Sequence, residues 1–310
     1  MNALSVLEQR RRFGRGIGYL ACALASCCWG TGFFFGKIAF TRLNVGHYVF
    51  YRFLFACLGL LPILERPHFT RREWKLILIG ALLGVPLQFM VQFEGLKLTT
   101  VSHAALMVGT MPVLLAAGAT LFAHERLDVK GWLALAGSTA GIALIVTSAT
   151  RGGIHGGNLR GDLLVVLSLI IALGWVLLNQ RLILRGRSPL SVTCWTLLTG
   201  TAMLIPWVLL QDGLPPVRGL GWTVWGAVAA SGLVCTAAAT LLWNWGLHRV
   251  PASRAGVFLN IEPALGSVLG VFVLGDRLGP GAWIGGALII TAAVILTTTG
   301  KGEPVSQPTC

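Results

Sequence analysis

Glu262 stands near the middle of an apolar stretch, VPASRAGVFLNIEPALGSVLGVFVLGDRLGP from Val250 to Pro280, and is followed at once by Pro263. An acid at mid-bilayer depth costs roughly 3 kcal/mol, so it belongs against protein or water and not lipid. Other apolar stretches carry polar or aromatic groups three or four residues apart, the spacing that puts them on one helix face. These sets are Ser26, Gly30, Phe33 and Lys37; Gly84, Gln88 and Gln92; Ser168, Trp175 and Asn179; and Thr236, Thr240 and Asn244 with Trp243 beside them. His103 with Met107 and Phe258 with Glu262 make two more. Amides and hydroxyls of this kind hydrogen-bond an ammonium or a carboxylate, and Trp29, Trp175 and Trp243 offer faces to an apolar side chain. That is the chemistry of binding. No GxSxG, HExxH, phosphate loop or carboxylate pair at metal spacing is present, so no enzyme, cofactor or metal is expected. The candidate substrate-binding residues are Trp29, Phe33, Gln88, Gln92, Met107, Trp175, Asn179, Thr240, Trp243, Asn244, Phe258 and Glu262. Glu262, Glu94 and His103 are the candidates for carrying a proton.

Plainer roles compete with each assignment. Serine and threonine in membrane helices bond back to their own backbone, asparagine and glutamine join helices, and buried tryptophans pack. His103 opens its apolar segment at the outer side and is expected as a solvated histidine. Arg52 lies within the second segment and is expected in a structural ion pair with Glu94, which also has Lys97 close by. Pro86, Pro112 and Pro263 free backbone carbonyls and mark bends. The seven cysteines show no CxxC, and six of them lie inside apolar segments as small packing residues.

These residues are carried on a chain of 310 residues, 55% hydrophobic and 11% charged, with a mean hydropathy of +0.76. Soluble proteins carry about 25% charge. The formal charge of +13 is spread thinly between apolar runs, which fits anionic lipid and not nucleic acid. Arg10, Arg11, Arg12 and Arg15 precede the first apolar run. The Leu24-Ala25-Ser26-Cys27 stretch resembles a lipoprotein cleavage box, but the run continues to Phe40, so a retained helix is expected.

Ten apolar segments can be drawn: 17–39, 46–64, 74–95, 101–123, 131–148, 161–183, 190–210, 220–247, 252–274 and 281–299. The later part of the chain repeats at a shift of 151. Ser253, Ala255, Pro263, Leu265, Arg277, Leu278 and Trp283 fall on Ser102, Ala104, Pro112, Leu114, Arg126, Leu127 and Trp132. The first two segments repeat at a shift of 144, pairing Gly30 with Gly174, Leu54 with Leu198 and Pro62 with Pro206. Five segments followed by five more must enter the membrane from opposite sides, an inverted repeat. The expectation is an all-α membrane protein of ten transmembrane helices in two inverted five-helix repeats. It comprises a cytoplasmic N-terminus (1–16), a first repeat (17–149), an extracytoplasmic linker (150–160), a second repeat (161–299) and a cytoplasmic tail (300–310). With both ends inside, sixteen of the 24 Lys and Arg face the cytoplasm and seven the outside, which sets the orientation.

Short motifs in this order resemble the EamA domains of the drug/metabolite transporter superfamily. They are Cys28-Trp-Gly-Thr-Gly-Phe33, Tyr51-Arg52-Phe53, Ser102-His-Ala-Ala105 with Pro112 and Glu125-Arg126, Pro251-Ala-Ser-Arg-Ala255, Glu262-Pro263 and Gly275-Asp-Arg277. In the second half Gly174-Trp175 inverts the order of the first motif. The resemblance implies a bacterial inner-membrane carrier of small metabolites, and is similar to the branch that exports amino acids, aromatic ones included. Export of cationic drugs, which would want more than one cavity acid, and carriage of nucleotide-linked sugars, which would want a basic cavity, stand as alternatives. A membrane enzyme or a structural partner is the alternative of a different class. The implied partners are a small-molecule substrate and the lipid bilayer, with a homodimer possible.

Overall fold

The computed structural model describes residues 3–114, 129–149, 158–183, 185–247, 249 and 256–299. Among the described residues all regular structure is helical. In chain order the α-helices are α1 (Ala3–Gly30), α2 (Gly32–Ala39), α3 (Val45–Leu60), α4 (Arg71–Leu82), α5 (Gln88–Leu98), α6 (Val101–Val108) and α7 (Val129–Ala149). They continue as α8 (Leu159–Ile183), α9 (Pro189–Gln211), α10 (Gly221–Gly232), α11 (Ala239–Leu247), α12 (Ile261–Phe272) and α13 (Pro280–Thr299). Six stretches are long and apolar enough to cross a membrane: Gly16–Ala39, Val45–Ile63, Arg71–Leu98, Leu159–Ile183, Pro189–Gln211 and Gly221–Gly246. Four shorter apolar helices, Val101–Leu114, Trp132–Ile145, Phe258–Phe272 and Pro280–Ala292, fall in the remaining apolar segments. The linker residues 150–157 and the tail from residue 300 lie outside the described residues.

Several segments expected as single helices are interrupted. Segment 17–39 breaks at Thr31, which separates α1 from α2; its hydroxyl turns back to donate to the Cys28 carbonyl (2.8 Å). Glycines on both sides have weak helix preference, and the hydroxyl competes for a backbone partner. Between α4 and α5 the helix widens into a π-turn at Leu83–Leu87 around Pro86, which has no N–H to give and crowds the carbonyl four residues back. A second π-turn, Leu233–Ala238, joins α10 to α11; there Thr236 Oγ1 donates to the Ser231 carbonyl (3.0 Å).

The stretch around Glu262, read above as one helix, is also divided. A 3-10 segment, Gly256–Asn260, precedes α12, and Pro263 lies in the first turn of α12, where its missing N–H is not needed. In the 101–123 segment α6 ends at Val108, a turn covers residues 109–110, and Pro112 lies in the helical stretch 111–114 that follows.

The pairing of helices is reciprocal. α1 packs on α11, and α8 on α5; α3 packs on α10 and its π-turn, and α9 on α4 and its π-turn. α6 packs on α12 and α7 on α13. The close contacts follow the same rule. Gly246 rests on Gly18 and Cys22, while Gly95 rests on Gly161 and Val165.

Polar contacts between the two halves gather at two ends. At one, Asn44 Nδ2 donates to Asp212 (2.8 Å), and the Ser102 N–H and Oγ donate to Asp276 (2.9 and 3.0 Å). At the other, Arg187 donates to Glu73 (2.8 Å) and to the His68 carbonyl (2.6 Å), and Trp195 donates to the Glu65 carbonyl (3.0 Å). Trp132, Trp222 and Trp283 are exposed near segment ends, as an interfacial belt requires. Trp74 instead packs edge-on against Phe69 and Trp195.

Candidate functional site

Three consecutive residues at the helix break touch three different elements. A Cβ on Gly30 would stand 3.0 Å from the Glu262 carbonyl, so α12 is seated directly on that glycine. Thr31 Oγ1 lies 3.2 Å from Cys235 Sγ in the second π-turn. Gly32 faces the Arg52 guanidinium, with a built Cβ 3.6 Å from Nη1 and 3.9 Å from Nη2. Glu262 is half-buried, and Arg52 is close enough for its charge to act on it. Directly before Gly30 in the last turn of α1, Trp29 meets Trp243 at 5.4 Å between ring centroids. Tyr19 meets Phe258 at 5.8 Å, and this apolar group closes around Cys22. Trp29, Trp243, Phe258 and Glu262 are thereby brought together by α1, α11, the 3-10 segment and α12.

A second group forms on α8 and its neighbours. The Trp175 ring covers Gly84 at the first π-turn, where a Cβ would stand 2.5 Å from the ring. Asn179 Oδ1 lies beside Gly80 and accepts a long hydrogen bond from Thr196 (3.4 Å). Gln88 follows Gly84 by one turn, and its Oε1, like Trp175 Nε1, is buried without a hydrogen-bond partner among the described residues. Gln92 is buried as well and makes no hydrogen bond to a described side chain or backbone. Asn244 reaches Thr193 at 3.5 Å, and Thr240, one turn before it, is half-buried. Phe33 packs on Phe93 (6.2 Å), and Met107 is fully buried in the main core.

The two groups correspond. At the shift of 144 Thr31 matches Trp175, and at 151 Gly84 matches Cys235. The contact of Thr31 with Cys235 is therefore the counterpart of the contact of Trp175 with Gly84. On one side two small side chains meet; on the other an indole fills the place that a glycine leaves.

Two expectations are corrected. Arg52 does not pair with Glu94. Its Nε donates to Thr236 Oγ1 (3.0 Å), Nη1 makes a 3.5 Å contact with the Tyr48 hydroxyl, and the guanidinium lies 5.0 and 5.3 Å from the ring centroids of Phe89 and Phe93. Tyr48 is held in turn by Ser231 (2.6 Å). Arg52 points from α3 into the second π-turn, whereas Glu94 is exposed on α5. His103, expected in solvent, is 2% exposed: its Nδ1 lies 3.1 Å from Asp162, which also accepts from Thr99 Oγ1. Lys37 Nζ donates to the Thr99 carbonyl (2.6 Å) beside them. Sequence reading missed Asp162, because an acid at the edge of an apolar segment looks solvated. The signal was available: His103 and Asp162 both open segments that start from the outer side. Two surface grooves, of about 450 Å³ along Leu159, Leu163 and Leu167 and about 670 Å³ along Trp222, Trp225 and Gly226, are lined by none of the candidate residues.

Apolar helices that break with an embedded acid on one flank and a buried cation on the other suit a multi-pass membrane transporter. The chain belongs to the EamA-like transporter family, whose profile matches it twice, over residues 16–147 and 159–298. It is 28% identical over 291 residues to an uncharacterized transporter of Archaeoglobus fulgidus, covering 91% of this chain and 97% of that one. It is 24% identical to the uncharacterized transporter YetK of Bacillus subtilis, covering 94% and 89%. A relative in Streptantibioticus cattleyicolor, named a probable terminal-alkyne amino-acid exporter, is 26% identical over 212 residues, covering 66% of this chain and 67% of its own. A protein of known crystal structure superposes with a TM-score of 0.63 at 19% identity, over 93% of this chain and 99% of that one, and shares the fold.

Proposed function

We propose that this chain is a secondary carrier that exports a small zwitterionic metabolite, an amino acid with an aromatic or other apolar side chain, by alternating access across the bacterial inner membrane. The observation that carries the reading is the position of Glu262. It is a half-buried acid seated on the break in the first span, beside the Trp29–Trp243 pair and within reach of a buried arginine. An acid on one flank of the break with an indole pair beside it, and a cation on the other flank, suit an ammonium, an apolar side chain and a carboxylate. The Streptantibioticus cattleyicolor relative, an amino-acid exporter by name, supports this substrate class.

The architecture proposed for it is ten membrane-crossing segments in two inverted repeats, both termini cytoplasmic. Support comes from the six long and four short apolar helices, the reciprocal pairing of α1 with α11 and α8 with α5, and the two π-turns at matching places. The bias of Lys and Arg supports the orientation.

The test is efflux of labelled tryptophan, phenylalanine and leucine from proteoliposomes holding purified protein. Wild type is expected to release at least one of them. Glu262→Gln, Trp29→Ala and Trp175→Ala are each expected to slow release about tenfold or more, about 1.4 kcal/mol of lost transition-state stabilisation, while remaining monodisperse. Normal release by all three variants would move the site elsewhere, and no release by wild type would remove the amino-acid reading. Repeating the assay with the pH gradient collapsed shows whether protons drive the flux.

A further inference from the structure

The larger surface groove, of about 670 Å³, takes no part in the site described above. Trp222, Trp225, Gly226 and Ala229 line it from α10, at the spacing of one helix face, and Phe55 lines it from α3. The wall is fixed by α3: the Trp225 ring lies 5.0 Å from that of Tyr51 and 6.4 Å from that of Phe55 between centroids. Tyr51 also donates to the Pro216 carbonyl (3.1 Å), which ties down the loop at the mouth of the groove. A Cβ on Gly226 would meet nothing within 4 Å, so no neighbouring side chain fills the groove at that point.

The groove has a polarity. Arg218 is exposed at its mouth, next to the lining residue Gly219, and has no hydrogen-bond or ion-pair partner among the described residues. Around that cation Leu214, Val217 and Trp222 are 84%, 71% and 92% exposed. Bare apolar groups beside a free cation fit the boundary between headgroups and hydrocarbon. From Gly221 to Ala229 the groove follows α10 for about 12 Å at 1.5 Å per residue. That is most of the roughly 15 Å of hydrocarbon in one leaflet.

The smaller groove, along α8, is built in the same sense, with Arg160 at its end and Leu163 and Leu167 beyond. Both mouths lie at the end of the molecule where Asn44 meets Asp212 and Thr99 meets Asp162. A lipid leaflet presents charge at one height and chains below it, which matches two separate grooves pointing the same way. A second copy of this chain fits less well. A symmetric dimer puts the same patch on both partners, so it would set groove against groove and bring Arg218 toward its own counterpart.

We propose that the groove between α10 and α3 is a binding site for an anionic phospholipid, with one acyl chain along Trp222, Trp225 and Gly226 and the phosphate at Arg218. The site does not depend on the carrier reading. The orientation proposed above makes the leaflet the outer one.

The experiment titrates purified full-length protein, stripped of native lipid in detergent, with dioleoylphosphatidylglycerol or dioleoylphosphatidylcholine. Native mass spectrometry reads the first lipid bound. The two probes share their chains and differ in headgroup charge. Wild type is expected to bind the first phosphatidylglycerol about fivefold more tightly than phosphatidylcholine, the gain from one cation at an anionic headgroup. High salt should shrink that preference. Arg218→Gln should bring the ratio to within about twofold and leave phosphatidylcholine binding unchanged. Gly226→Leu places a side chain in open space and should weaken the first binding of both lipids about tenfold, the loss of roughly two methylenes of burial. If that variant fails to fold, Arg218→Gln, in an exposed loop, decides the matter. Equal binding of the two lipids by wild type overturns the proposal. So does a preference that survives Arg218→Gln, or first binding that Gly226→Leu leaves unchanged. A wild-type dimer that Gly226→Leu dissociates would give the groove to a second copy and overturn it as well.

Discussion

His103 and Asp162 satisfy one another inside the protein: both are buried, and Asp162 has Thr99 as its second donor. Removing one partner of such a pair strands the other. His103→Ala is expected to lower unfolding free energy by about 3 kcal/mol. Asp162→Asn, which keeps acceptor and shape, should cost about half as much. Thermal unfolding in detergent reads both, and a His103→Ala protein as stable as wild type would show that the pair does not hold the helices. Glu262 is the opposite case. It makes no hydrogen bond among the described residues and is half-buried, so Glu262→Gln should leave the unfolding temperature nearly unchanged while efflux falls. That contrast separates a residue kept for structure from one kept for binding. The sequence pointed to Glu262, because an acid amid apolar residues stands out by itself. It was silent on Asp162 and misjudged Arg52, because each draws its meaning from a partner more than fifty residues away.

At the scale of elements, the breaks matter more than the helices. Hydropathy marks apolar lengths but is blind to interruptions, because Thr31 or Gly109 is apolar enough not to lower a window average. Proline was the better guide: Pro86 and Pro263 both mark departures from regular α-helix. The π-turn at Leu233–Ala238 has no proline and could not be read in advance. The contact of Trp175 with Gly84 yields a prediction at this scale. Gly84→Ala puts a Cβ 2.5 Å from the ring and is expected to cost about 1–3 kcal/mol. In the Trp175→Ala background the same change should cost much less, because the obstacle is gone. Gly226→Ala meets nothing within 4 Å and should be neutral or slightly stabilising. A double-mutant cycle on unfolding temperature checks all of these, and equal costs of Gly84→Ala in both backgrounds would deny that the indole sits there.

For the whole molecule, the polar contacts between halves sort the connecting segments into two ends. Asn44, Ser102, Asp162, Asp212 and Asp276 cluster at one and Glu65, Glu73, Arg187 and Trp195 at the other. The proposed inverted repeat, with an odd number of spans in each copy, predicts this sorting. With the proposed orientation, a cysteine introduced as Arg160→Cys should react with a membrane-impermeant maleimide on intact cells. Arg71→Cys should react only after permeabilisation, and both positions are exposed. Labelling of both from the outside would contradict the arrangement. Among the described residues, six helices long and apolar enough to cross a membrane and four shorter apolar ones are what apolar length alone supports.

Transfer from water to lipid is nearly additive along a chain, so composition and windowed hydropathy were sufficient to identify a helical membrane protein and its apolar segments. The repeat was legible for a related reason: two copies under the same local constraints keep the same small residues and prolines at the same intervals. Which helix faces which is not additive. The meeting of Gly32 with Arg52, of Gly30 with Glu262 and of His103 with Asp162 depends on how segments distant in sequence pack. A buried charge takes its character from whatever stands a few ångströms away, and that neighbour was decided only when the two halves closed on each other.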